Sequence, residues 1–214
     1  MANVQEPSPP VLDASDRIPE APILSVTLSC PPTLGWNRTE FRIQFKVTYL
    51  GASDSSTHSA EPIIFNKWGF LENEGLCRGT QLFHFHDDRW EAVEEDVVCT
   101  GAGFVDDPDV AVCPANHKNF IRLAPGESWT FNTLIQEDTW NTLPQKTKLG
   151  DKFRFIFKGA EVDWWVWGGA EQHQDTTVML SCYEGGPVRD PAGNEGRPKL
   201  LVPGSNWVQW TVVE

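Results

Sequence analysis

Apolar and polar positions alternate with a period of two along much of this chain. Ile23–Ser29 (ILSVTLS) sets apolar against hydroxylated side chains, as a strand with one buried face does. Phe41–Leu50 (FRIQFKVTYL) is cleaner. Phe41, Ile43, Phe45, Val47 and Tyr49 point one way, and Arg42, Gln44, Lys46 and Thr48 the other. So long an alternation does not suit a helix. Shorter strands are predicted from Pro62 to Phe65 and over Thr80–Phe85, Asn119–Leu123, Ser128–Ile135, Asp151–Phe157, Thr176–Ser181, Leu200–Val202 and Asn206–Val213.

Turn chemistry punctuates these runs. Cys30-Pro31-Pro32 ends the first strand, because proline supplies no ladder donor. Asp87-Asp88 turns Thr80–Phe85 back into Arg89–Val93 as a hairpin. Pro125-Gly126 suits the central pair of a type II turn, where glycine takes positive φ. Cys99–Pro114 and Gly185–Pro198 are expected to be long loops, the first of them an inserted lid.

No window holds a 3.6-residue amphipathic pattern of helical length, and about nine to twelve short strands are expected. The fold class predicted is all-β: an antiparallel two-sheet sandwich, Ig-like or jelly-roll-like, with long loops. Residues 1–20, rich in Pro, Glu, Asp and Ser, read as a flexible N-terminal arm, and residues 21–214 as a single β-sandwich domain.

A formal net charge of -13 sets this chain against nucleic-acid backbones and anionic membranes, so neither is expected as a partner. The N-terminus has no basic n-region followed by an apolar h-region, and no apolar run is long enough for a membrane helix. The five cysteines are scattered, with no CxxC pair. This predicts free thiols and an intracellular, cytoplasmic protein, with a Cys99–Cys113 disulfide as the exception if the chain is secreted.

Chemistry concentrates between Phe153 and Met179, around Trp164, Trp165 and Trp167. Alternation would place Glu161, Asp163 and Trp165 on one face, with Val162, Trp164 and Val166 on the other. A carboxylate held against an indole in low dielectric has a raised pKa and can serve as a general acid, which makes Asp163, Glu161 and His173 the candidate catalytic residues. Trp164, Trp165 and Trp167, with Trp90 and His84 as further walls, are the candidate substrate-binding residues. The competing reading of the same residues is a strand that packs its indoles into the core and leaves its acids in water. His84 and His86, followed by Asp87 and Asp88, have the spacing of metal ligands on one strand face, but they also suit a solvent-facing strand end. No metal and no cofactor is expected. Cys113 with His117 sits too close in sequence to favour a nucleophile and its base. The chain lacks G-x-G-x-x-G, a Walker A lysine loop, H-E-x-x-H and G-x-S-x-G, so dinucleotide, nucleotide-hydrolysing, zincin and α/β-hydrolase chemistry has no support.

The stretch Asn119–Phe131 (NFIRLAPGESWTF), with the upstream ILSVTLS and FRIQFKVTYL strands, resembles small Ig-like sandwich domains. These include bacterial intracellular proteinase inhibitors, which share the L-x-P-G-E hairpin, and uncharacterised fungal proteins that also resemble Phe157–Trp165 (FKGAEVDWW). The resemblance spans about two thirds of the chain and bears on fold more than on role. It implies an accessory protein of natural-product biosynthesis. Two functions follow as expectations. The first is a cofactor-independent cyclase or isomerase, pericyclase-like, acting on a hydrophobic small molecule. The second is a non-catalytic protein-binding or protease-inhibitor module that works through its loops.

Overall fold

The computed structural model describes residues 21–36, 41–52, 58, 60–69, 79–93, 108–135, 143, 147–181, 187–189, 197 and 199–214. The expected N-terminal arm, residues 1–20, lies outside them. The strands come in chain order as β1 Ile23–Ser29, β2 Thr33–Gly35, β3 Phe41–Gly51, β4 Ile63–Asn66 and β5 Thr80–His86. Next are β6 Arg89–Ala92, β7 Val110–Val112, β8 Phe120–Leu123, β9 Ser128–Ile135 and β10 Lys152–Phe157. The last five are β11 Ala160–Val162, β12 Trp165–Trp167, β13 Val178–Leu180, β14 Leu200–Val202 and β15 Val208–Val213. The helical elements among the described residues are short 3-10 turns, such as Lys67–Gly69 and Ala170–His173. The protein is all-β.

Its sheets are β1-β3-β9, β2-β15-β10-β5-β6, β11-β14, β12-β4-β8 and β13-β7. Among the described residues the strand pairing is antiparallel except between β15 and β2. β3 shows the alternation read from its sequence: Phe41, Ile43, Phe45, Val47 and Tyr49 are buried and the intervening residues are more exposed. The buried faces of the three-stranded β1-β3-β9 sheet and of the five-stranded sheet meet in one main core. Phe41 lies 4.8 Å from Trp210, and Phe45 meets Phe155 and Phe157 edge-on at 6.3 and 5.9 Å. This packing of aromatic-rich sheets fits a β-sandwich.

A second, smaller core forms from Ile64, Val112, Phe120, Trp164, Val166, Val178, Leu180 and Val188. It needs a strand that sequence reading missed. Val110–Val112, expected to be part of a loop, is β7 and pairs with β13. Three residues are too few for a period to show. β2 was missed for the same reason. Of the expected loops, residues 99–107 and most of Gly185–Pro198 lie outside the described residues.

Turns follow their chemistry. Asp87 and Asp88 both take positive φ (47° and 61°), the backbone of a type I′ hairpin between β5 and β6. Gly126 sits at φ 84°, as the Pro-Gly pair predicts. The expected hairpin across Leu123–Ser128 needs correction, however. β8 pairs with β4, while β9 pairs with β3 in another sheet. The turn is a corner between sheets, held to the end of β3 by Gly126 N donating to Tyr49 O (2.7 Å) and Tyr49 N to Glu127 O (3.0 Å).

Candidate functional site

The tryptophan run is not one strand. β11 ends at Val162, the chain bends at Asp163, and β12 begins at Trp165. β11 pairs with β14, and β12 with β4. The break resets the alternation. Val162 and Trp165 both enter the main core, while Trp164 and Val166 enter the second. The expected grouping of Trp165 with Glu161 and Asp163 is thereby corrected.

Trp164 and Trp165 are 1% and 2% exposed. Trp164 meets Phe120 edge-on at 5.2 Å, and Trp165 meets Trp167 edge-on at 5.2 Å. The Arg197 guanidinium lies 5.6 Å from the centre of the Trp165 ring and donates to the Trp165 carbonyl (3.0 Å). Both indoles are core anchors. Trp167 is half-buried and carries the His58 ring stacked on it at 5.0 Å.

The three candidate acids and bases sit in different settings. Glu161 is exposed and paired with Lys199 at 2.7 Å; that bond and charge raise the Lys199 pKa. His173 has both ring nitrogens engaged. Nε2 lies 2.7 Å from the Trp167 carbonyl, which can only accept, so Nε2 carries a proton; Nδ1 lies 3.0 Å from Thr176 Oγ1, a hydroxyl that can donate to it or accept from it. Its contacts tie down the turn that follows the tryptophans.

Asp163 is different. Burial pushes its pKa up, against backbone amides of Asp163, Val188 and Trp164 and the Lys199 charge, which pull it down. Its Oδ1 is buried with no hydrogen-bond partner among the described residues. Val188 belongs to the second core, so the carboxyl sits at that core's border.

The more distant candidates belong elsewhere. His84 stacks on Phe153 at 4.7 Å, with Nε2 3.3 Å from Asp151 Oδ2. Trp90 lies on the outer β6 strand of the five-stranded sheet, 5.1 Å from Phe85 and beneath the Arg154 guanidinium at 4.3 Å. Their ring contacts lie within that sheet and not with the tryptophan run. His84 and His86 stack at 6.1 Å, but no group of three or more His, Cys, Asp or Glu among the described residues is placed to hold a metal.

Cys113 and Cys30 are free thiols, and Cys99 lies outside the described residues. Cys113 Sγ donates to the carbonyls of His173 (3.4 Å) and Gln174 (3.3 Å) rather than to His117. His117 Nδ1 instead accepts from the Asn119 amide at 3.3 Å. The nucleophile–base pairing is therefore not formed.

Asn66 escaped sequence reading. It ends a short apolar strand and carries no motif, yet it is fully buried, opposite Phe120 in the β4–β8 ladder and bonded through its backbone amide to the Trp164 carbonyl. No helix among the described residues is long and apolar enough to cross a membrane. Comparison with protein-family models, with curated proteins and with solved structures finds no match.

Proposed function

We propose that this chain is an Ig-like β-sandwich protein that binds a hydrophobic small molecule and acts on it, without a cofactor, as a cyclase or isomerase. The observation that carries this reading is the Asp163 carboxyl. It stands at a strand break beside an apolar core, its pKa is raised by burial, and one oxygen is unpaired among the described residues. An acid kept toward its protonated form in apolar surroundings can deliver a proton to a substrate that carries no charge of its own. Trp165 then serves as scaffold rather than as a wall, the Trp164 ring packs into the second core, and Glu161 and His173 take no part in proton transfer. The substrate class named here rests on the fungal resemblance of the FKGAEVDWW stretch.

A second reading, a non-catalytic protein-binding or protease-inhibitor module, is favoured by a separate observation. The Trp165 indole is packed in the main core, and both nitrogens of His173 are already used by the fold. In that case the long loops carry the contact.

The test is a titration of intrinsic tryptophan fluorescence with a panel of polycyclic and polyene compounds, on the wild type and on Asp163→Asn, followed by turnover assays on every binder. Saturable quenching in both proteins with product from the wild type alone supports the acid. Binding without turnover removes the enzymatic claim. No response from any compound favours the loop-binding module.

A further inference from the structure

Three buried polar atoms without a partner among the described residues belong to neighbouring residues at the second core: Asn66 Nδ2, Trp164 Nε1 and Asp163 Oδ1. Asn66 N donates to the Trp164 carbonyl at 3.0 Å, and Asn66 stands opposite Phe120 in the β4–β8 ladder. Asn66 thus stands between Trp164 and Phe120 in the sheet and is 0% exposed, and the rings of these two neighbours meet edge-on at 5.2 Å. Which end of the amide is which is set by the Trp68 amide, which donates to Asn66 Oδ1 at 3.1 Å. The NH2 end is therefore the unpaired one. The Asn66 carboxamide and the Trp164 indole thus each hold a donor withdrawn from water and unpaired among the described residues, and a fold does not keep such donors without cost.

We propose that Asn66 Nδ2 and Trp164 Nε1 form a two-donor site for the oxygen of a bound carbonyl compound, beside Asp163 on the border of the second core. A carbonyl oxygen has two lone pairs and no proton, so it complements two donors, and donors preset around it also stabilise negative charge that builds on it. The inference deepens the reading of Asp163 as a proton donor and rests on it for the reaction, though not for the binding.

The experiment titrates the 15N-labelled full chain with cyclohexanone and, separately, with methylcyclohexane, and follows the Trp164 indole N–H resonance. That resonance is assigned by its loss in Trp164→Phe or, if that variant does not fold, through side-chain correlations. The expected result is a saturable downfield shift with the ketone and none with the hydrocarbon. Asn66→Leu should weaken the ketone's apparent affinity about tenfold, the loss of one hydrogen bond to a buried acceptor. Asn66→Ser takes its place if the leucine variant does not fold. An indole resonance that ignores the ketone, or affinity unchanged in the Asn66 variant, overturns the site. Asp163→Asn that binds the ketone as tightly as the wild type, in a protein without turnover, supports the donor site and removes only the catalytic claim.

Discussion

His173 Nε2 donates to the carbonyl oxygen of Trp167 across 2.7 Å. This bond closes the turn after β12 and makes His173 a structural clamp. The same turn puts Gly168 at φ 105°, where an added Cβ would come within 2.7 Å of Gln172 Oε1 and 3.0 Å of His173 Nε2. Gly168→Ala should destabilise by about 1–3 kcal/mol through backbone strain and displacement of the clamp. His173→Ala should cost about 1–3 kcal/mol by leaving a carbonyl unpaired. Urea unfolding measures both, and ligand affinity measured alongside should stay unchanged.

Trp165→Ala should be far more damaging, about 3–5 kcal/mol, because the indole fills the main core and the site cannot collapse around the void. Loss of ligand binding in that variant at a temperature where it is still folded would return Trp165 to the binding wall.

The Asp163 carboxyl gives stability a definite pH dependence. Its folded-state pKa lies above the ordinary 3.8, so the folded protein holds its proton at pH values where the unfolded chain has released it. Stability is therefore complete below the ordinary value and declines as pH rises through the folded value. Asp163→Asn removes this penalty. The variant should match the wild type in acid and melt higher at neutral pH. Thermal melts of both proteins across that range check the sign. A variant less stable than the wild type at neutral pH would mean that the backbone amides on the carboxylate outweigh its burial.

Tyr49 offers an optical test of the β3 end. Its hydroxyl donates to the Glu61 carbonyl at 2.9 Å, and burial, helped by the Glu61 charge, pushes its pKa up to about 12. The chain has two tyrosines, so a Tyr183→Phe variant isolates Tyr49 in ultraviolet absorbance. Its phenol should ionise well above the ordinary value of 10.0, and stability should fall as pH rises from there toward 12. Ionisation near the ordinary value would mean that the β3 end is open to water.

Asn206 ties the two ends of the described chain together, donating from Nδ2 to the Leu28 carbonyl (3.1 Å) and accepting the Leu28 amide at Oδ1 (2.8 Å). Asn206→Ala leaves both backbone groups of β1 unpaired there and should cost about 2–4 kcal/mol, read as a lowered midpoint in urea.

Local chemistry was legible in the sequence. The buried face of β3, the positive-φ aspartates of the β5–β6 hairpin and the Pro-Gly turn all depend on near neighbours, and near neighbours are what a sequence displays. Trp207 and Trp210, three residues apart, cannot share one face of an extended strand, and Trp210 is in the core while Trp207, just before β15, is 37% exposed. The partners of each strand were decided by the tertiary structure. β8 and β9, joined by four residues that look like a hairpin, pair into separate sheets because β3 and β4 offer them ladders. The bend at Asp163 likewise arises because β14 claims one side of it and β4 the other. That division sent two adjacent indoles into two different cores and separated Asp163 from Glu161 in setting. It also buried Asn66, whose role no spacing could announce, because its neighbours Trp164 and Phe120 are close in space and distant along the chain.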